Sequence, residues 1–528
     1  MSKDMSKATS EEFSSETGPF EATGVPNLDY VLGGGLQHGA LAIIMGPPGS
    51  GKTTLASQIA FAAARRGQRA LLLTAFSEST TKLLRHLQTY QFFSSDLVGN
   101  AVQVFSLKQF FSTADQSNTT AQEIVAAVRQ TKANLVVLDG FQGIRGMEAN
   151  FATTRQLLYD LGMRLSLLGT TTLITTEADP RDPTLFPEMT TGDVLIGLYY
   201  SLKGMRSFRT LEVIKVRGGS PLPGHHSFHL SSQGVEVFPR LETRLRPPFE
   251  DTRSIETIAA TPLERARFDL GEFDVLLGNG LPYRTGTVLS GSLGTGKTLL
   301  ALQFALAGVN KGEPVLFLGF RETIEQLLLK ADEFALGQQL RKSLTSAGLL
   351  TFQRWEPVEL DPDRIVQELL ATVEQTGARR VIIDSIIELE RAVRESSGEE
   401  RIPNYLSALL ASLRERNVTT LALKEIRKGI ATQPDFSIDP LAVLAENVIL
   451  LQHLAYRGHL HRVLSILKMR FSRHDHAFRE FQITSPEGIH VLTPDESGLE
   501  VLGGLSDLYE KGEWGNLPYS GRETTSER

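Results

Sequence analysis

The chain has 528 residues, 41% of them hydrophobic and 22% charged, with a net charge of −7 and no cysteine. That length exceeds what one core ordinarily serves, so two or more domains are expected. Without cysteine there are no disulfides, thiolate zinc sites or cysteine nucleophiles, which fits a reducing cytoplasm; the acidic balance argues against a protein that coats nucleic acid.

Residues 1–19 are polar and low in apolar side chains, so a disordered tail is expected there. The stretch Met1 to Thr17 has no apolar h-region, so no secretory signal is expected. No later run is apolar and uncharged enough to span a bilayer. The first domain is expected over 20–246. It opens with Asp29-Tyr30-Val31-Leu32-Gly33-Gly34-Gly35-Leu36. A short apolar strand (Ala40 to Met45) then enters Gly46-Pro47-Pro48-Gly49-Ser50-Gly51-Lys52-Thr53. A helix follows from Lys52 to Arg66, with Gly67 as its stop. Further strands are expected at Arg69 to Thr74, Leu135 to Asp139 and Thr170 to Thr176, with a helix over Ala121 to Lys132. Pro239 to Pro262 reads as a boundary, with a linker at 247–262.

The second domain, expected over 263–500, repeats the first. Lys297 lies 245 positions after Lys52, Asp274 lies 245 after Asp29, and Asp384 lies 245 after Asp139. Unrelated domains would not keep that register. Strands at Thr287 to Ser290, Pro314 to Leu318 and Arg380 to Asp384 alternate with helices at Lys297 to Asn310 and Arg364 to Glu374. Alternation of this kind predicts an α/β fold in which each domain has a mostly parallel sheet covered by helices on both faces. A second tail is expected at 501–528.

The two Gly-rich loops carry the chemistry. The second reads Gly291-Ser292-Leu293-Gly294-Thr295-Gly296-Lys297-Thr298. In this pattern the glycines turn backbone N–H groups onto a phosphate chain, the lysine neutralises β/γ oxygens, and the threonine hydroxyl reaches Mg²⁺. The chain is therefore expected to run on ATP. The nucleotide-binding residues are Gly46, Gly49, Ser50, Gly51, Lys52, Thr53 and Thr54, then Gly291, Gly294, Thr295, Gly296, Lys297, Thr298 and Leu299. Asp139 and Asp384 end apolar β-runs, where a carboxylate can hold Mg²⁺ with Thr53 and Thr298. Each also has the reading of a turn or N-cap aspartate.

Hydrolysis needs a base or a group that positions water. Glu78 and Glu322, which follow the second strand of each domain, are the candidates, with a helix-capping role as the alternative. Lys215-Val216-Arg217 and Lys468-Met469-Arg470 place a lysine and an arginine on one strand face. Two readings stand for these triplets: cations for a neighbouring subunit's phosphates, or solvated edge charges. The clusters His225-His226-Ser227-Phe228-His229 and His474-Asp475-His476 show no repeated metal-ligand spacing, and are expected at the surface or a subunit contact.

These motifs resemble the KaiC family, the bacterial circadian-clock ATPases and autokinases built of tandem RecA-like P-loop NTPase domains. The resemblance runs from about Thr23 to Leu492. Its most specific stretch is Glu446-Asn447-Val448-Ile449-Leu450-Leu451-Gln452, followed by Arg457-Gly458, Arg462, the Lys468 triplet and His474-Asp475; Thr175-Thr176-Glu177 is similar too. The resemblance implies a double-ring homohexamer with ATP between subunits, reached by the Lys-x-Arg of the next subunit. It also implies slow hydrolysis in the first ring and, in clock members, autophosphorylation in the second. Two departures stand out. The family's phosphoacceptor Ser-Thr pair falls on Ala442 and Val443. The first of two adjacent glutamates is replaced by Ser77 and by Arg321. The expected function is an oligomeric ATPase switch that signals to a protein partner. One alternative is a Ser/Thr autokinase using Thr432 or Ser437. Another is a RecA- or DnaB-like DNA-dependent motor.

Overall fold

The computed structural model describes residues 20–74, 79–110, 117–145, 151–182, 186–245, 264–345, 348–426, 430–431, 440–456, 458–472, 474–475 and 477–493. The expected tails (1–19 and 501–528) and linker (247–262) lie outside them. The chain divides into two compact units, Met1–Arg246 and Pro247–Arg528.

In the first unit a short hairpin, β1 (Phe20–Glu21) and β2 (Leu36–Gln37), comes before the main sheet. The sheet strands are β3 (Leu41–Met45), β4 (Ala70–Thr74), β5 (Val102–Ser106), β6 (Leu135–Leu138), β7 (Thr171–Thr176), β8 (Val194–Lys203), β9 (Arg206–Val216), β10 (His226–Ser231) and β11 (Gly234–Phe238). They lie in the order β11-β10-β9-β8-β3-β7-β6-β4-β5. Neighbours from β5 to β8 are parallel, and those from β8 to β11 are antiparallel.

Strand alternation decides which helix covers which face. Ala42 and Ile44 of β3 pack into a core with Leu55, Ile59 and Phe61 of the helix Lys52–Arg65. Leu41, Ile43 and Met45 point the other way, into a core with Ile124 and Val128 of the helix Ser117–Thr131 and Leu158 and Leu161 of the helix Phe151–Leu167. Because both faces are covered, β3, β4, β6 and β7 are buried at every residue.

The second unit has its own hairpin, β12 (Arg265–Ala266) and β13 (Leu281–Pro282). The sheet then uses β14 (Gly286–Gly291), β15 (Val315–Gly319), β16 (Leu350–Arg354), β17 (Arg380–Asp384), β18 (Thr419–Glu425), β19 (Ile430–Ala431), β20 (Asn447–Tyr456), β21 (His459–Met469), β22 (Arg479–Thr484) and β23 (Gly488–Val491). Its order, β16-β15-β17-β18-β14-β20-β21-β22-β23 with β19 beside β20, repeats that of the first unit. The helix expected at 364–374 runs from Pro362 to Thr376, started earlier by the Asp361 side chain, which accepts from the N–H groups of Asp363 and Arg364.

Two sequence features have structural roles. Asp29 accepts the Thr23 N–H at 2.8 Å, and Asp274 accepts those of Phe268 and Leu270 at 2.9 and 3.2 Å, so the repeated aspartate fastens the chain ahead of each sheet. His226, expected at a surface or contact, is buried. One ring nitrogen accepts the Arg240 N–H at 3.0 Å and the other lies 3.3 Å from the Leu222 carbonyl oxygen, so local backbone groups satisfy the imidazole.

Candidate functional site

Each Gly-rich loop leaves the C-terminal end of a central parallel strand, β3 or β14, and runs straight into a helix. At Gly46 a Cβ would lie 2.4 Å from the Leu198 carbonyl oxygen of β8, so a side chain there would push the loop off its neighbouring strand. At the helix start, Gly51 and Gly296 take φ 101° and 92°, left-handed values that suit glycine. Neither helix has a side-chain cap, which leaves its first-turn N–H groups available to an anion. Gly49 and Gly294 lie in the turn between.

The charged groups repeat as well. Lys52 Nζ donates to the carbonyls of Gly46 at 2.8 Å and Pro47 at 2.9 Å. Lys297 Nζ donates to those of Gly291 and Ser292, both at 2.8 Å. Burial pushes both ammonium groups below their ordinary pKa. Glu177 and Asp139 oppose this at Lys52, and Glu425 and Asp384 oppose it at Lys297. The Thr53 hydroxyl donates to Asp139 at 3.0 Å, and Thr298 to Asp384 at 2.9 Å. Asp139 also accepts from Thr175 at 2.6 Å. Burial raises the Asp139 carboxyl, against the hydrogen bonds from Thr175 and Thr53. Burial likewise pushes Asp384 up to about 6, with Thr298 opposing and the charge of Glu322 adding to the rise.

This donor set fits a hydrated magnesium ion. A hydroxyl and a buried carboxylate are hard oxygen ligands, and a buried negative charge calls for a cation. The hydroxyls of Ser50 and Ser292, within the loops, are buried with no protein hydrogen-bond partner among the described residues. In the first unit a cavity of about 430 Å³ opens over the loop, lined by Lys52, Thr53, Thr54, Tyr90, Asp139 and Glu177 among others. The Thr54 hydroxyl lies 3.5 Å from the Tyr90 hydroxyl. Thr295 closes the second loop internally by donating to the Ser292 carbonyl at 2.8 Å. The Leu299 side chain is buried, which leaves its backbone N–H as its contribution.

The Lys-x-Arg triplets lie elsewhere. Lys215 pairs in register with Leu195 near the start of β8, which lies beside Ile43 in the middle of β3, so it sits on the side of the sheet strands away from the loop. Lys468, paired with Val448, repeats this. Lys215 Nζ donates to the Gly192 carbonyl at 2.7 Å, just beyond the helix Pro187–Thr191. Lys468 Nζ donates to the carbonyls of Val443 at 2.9 Å and Ala445 at 2.6 Å, at the end of the helix Pro440–Leu444. Both lysines thus supply donors to helix-terminal carbonyls. Arg217 and Arg470 are exposed, and Arg217 lies 3.1 Å from Asp193.

Of the two glutamate candidates, Glu78 lies outside the described residues, as do Ser77, Thr432, Ser437, Arg457 and His476. Glu322 accepts from Lys330 Nζ at 2.6 Å. Sequence reasoning assigns no role to Glu177 and Glu425, the carboxylates beside each lysine; Glu177 follows the threonine-rich β7 and Glu425 ends β18, both level with the loop. It also missed that Arg462, on the hairpin of β20 and β21, donates to the Gly294 carbonyl at 3.4 Å. Among the described residues, no cluster of His, Asp and Glu holds a ready-made metal cage, and no helix is long and apolar enough to cross a membrane.

Comparison with known proteins agrees with this geometry. The family model for the KaiC ATPase matches residues 21–242 and again 269–496. The circadian clock protein KaiC3 of a Synechocystis species is 26% identical over 495 residues, spanning 91% of this chain and 93% of the relative. The circadian clock oscillator protein KaiC of Rippkaea orientalis is 24% identical over 472 residues, spanning 87% of this chain and 86% of the relative. Two matched sheets, two phosphate cradles in one register and a family match over both units lead to one conclusion: the chain belongs to the KaiC ATPase family.

Proposed function

We propose that this chain binds ATP with Mg²⁺ at both Gly-rich loops and hydrolyses it. It assembles as a homohexamer with nucleotide between subunits and changes shape to signal to a protein partner. The observation that carries the reading is the repeated set of loop, lysine, threonine and strand-end aspartate, in which Thr53–Asp139 and Thr298–Asp384 hold matching contacts.

In this reading the loop N–H groups and the lysine take the phosphates. Thr53 with Asp139, and Thr298 with Asp384, hold the metal. Bound magnesium supplies charge neutralisation on the β/γ oxygens. Glu78 positions water in the first unit; Glu322 holds the corresponding place in the second, with Lys330 upon it. The Lys-x-Arg triplets support the interface assignment. They stand toward the strand ends away from their own loop, so Arg217 and Arg470 serve a nucleotide bound by another copy.

The relatives are named as clock proteins. Here Ala442 and Val443 offer no hydroxyl, so we place this chain outside a phosphorylation cycle at those positions. The test is ATP turnover by the purified protein against the Lys52→Ala/Lys297→Ala double variant. A large loss in the double variant is expected, and equal turnover would remove the enzyme claim.

A further inference from the structure

The turns of the two loops are backed by different side chains. Each loop lies against the strand next to its own, β8 or β20. A Cβ at Gly46 would lie 3.1 Å from the Leu198 Cβ, and one at Gly291 would lie 3.0 Å from the Leu451 Cβ. Two residues further along, on the same strand face, come Tyr200 and His453. His453 is half-buried, and its Cε1 lies 3.7 Å from where a Cβ on Gly294 would be, so the imidazole rests against the turn of the second loop. Its cross-strand neighbour Arg462 donates to the Gly294 carbonyl at 3.4 Å. In the first unit Tyr200 pairs with Arg209 in the same register, and the guanidinium lies over the phenol ring at 5.3 Å. A Cβ at Gly49 would meet nothing within 4 Å, so the first turn has no such backing at that point.

Among the described residues, the charges that act on His453 are those of Arg462, from β21, and Lys297, from the start of the helix Lys297–Asn310. β19, which also pairs with β20, brings Ile430 and Ala431, which carry no charge. Across β14 stands Glu425, which lies 3.8 Å from Arg321; Arg321 also pairs with Glu388 at 2.9 Å. Burial, with the two cations adding to it, holds the imidazole below its ordinary pKa of 6.5. Without nucleotide His453 is therefore neutral at neutral pH. A triphosphate in the loop reverses the balance, because its negative charge stabilises the imidazolium.

We infer that His453 couples nucleotide binding at the second loop to the uptake of a proton, a linkage that the first loop lacks. This rests on the reading of the second loop as an ATP site. The proton comes from solvent onto the free imidazole nitrogen and leaves again with the nucleotide. Bound nucleotide favours the charged imidazole. The linked gain in affinity is therefore fully present at a pH below the pKa of the nucleotide-free protein, and is lost as pH rises through the higher pKa of the complex. Because the nucleotide-free group starts below 6.5, the second loop tightens on ATP in the mildly acid range. The first loop carries a phenol at this place, and histidine is the side chain suited to titrate there.

Titration calorimetry with Mg-ATP on the full chain carrying Lys52→Ala reads the second loop. This parent is compared with the same chain carrying His453→Gln, which keeps a polar side chain, or His453→Tyr, which installs the residue type of the first unit. The ratio of either variant's Kd to the parent's is expected to be about 1 at about pH 8 and to reach about fivefold at about pH 5.5. Asp384, with its pKa of about 6, and the phosphates of the nucleotide titrate in every protein compared, so the ratio isolates His453. At about pH 6, heats measured in buffers of different ionisation enthalpy are expected to show more proton uptake by the parent than by either variant. A ratio that is the same at both pH values, with equal proton uptake, would overturn the inference. No binding by the parent at any pH would instead overturn the ATP reading of the second loop itself.

Discussion

The Thr53 hydroxyl donates to Asp139 across 86 positions of sequence, at 3.0 Å from one carboxylate oxygen and 3.1 Å from the other. Thr298 and Asp384 repeat the contact at the same separation and 2.9 Å. A threonine in the first turn of a helix and an aspartate at the end of a different strand meet because β3 and β6 both flank β7, which aligns their C-terminal ends.

That alignment makes the lysines testable one at a time. Lys52→Ala and Lys297→Ala each remove a charge-assisted donor to phosphate, worth about 1.5–3 kcal/mol, or roughly tenfold or more in affinity. Equilibrium titration with Mg-ATP is expected to show weakening at the altered loop only.

Asp384 sets a pH dependence. Its folded pKa of about 6 stands above the ordinary 3.8, so the nucleotide-free fold binds this proton more tightly than the unfolded chain does. The associated stability is fully present below about pH 4 and is lost as pH rises through about 6, by roughly 3 kcal/mol. Asp384→Asn is expected to flatten that decline in urea unfolding of the nucleotide-free protein, while weakening its response to Mg²⁺.

Arg470 is exposed and sits just past the end of β21, at the strand ends away from its own loop. Arg470→Ala is expected to change unfolding stability by no more than about 0.5 kcal/mol, as for other surface substitutions. The mass of the assembly formed with ATP is expected to fall, as native mass measurement would show. An unchanged mass would return this arginine to the role of a solvated edge charge.

Asp274 is predicted to matter for folding alone. It is 1% exposed and accepts two backbone N–H groups. Asp274→Ala orphans those donors and is expected to cost about 1–3 kcal/mol in denaturant unfolding, with ATP affinity per folded molecule unchanged.

The parts of the site that sequence made legible are those written in a continuous stretch or at a fixed offset. The loops, the β-runs ending in Asp139 and Asp384, and the repeat at 245 positions are all of this kind. The antiparallel half of each sheet was harder to read. β9 mixes exposed and partly buried residues, and its partners are chosen by hairpin register rather than by an apolar run. The Arg321–Glu388–Glu425 cluster was not legible either. Its members come from three separate segments, and only the sheet order brings their ends together. His226 reads as a surface residue in a polar sequence, yet it is buried because backbone groups at Leu222 and Arg240 satisfy its ring.

Titration calorimetry with Mg-ATP on the wild type, the two single lysine variants and the double variant is the most direct measurement. The account predicts binding heat from both loops in wild type, from the intact loop alone in each single variant, and none in the double variant. Undiminished heat in the double variant would contradict it.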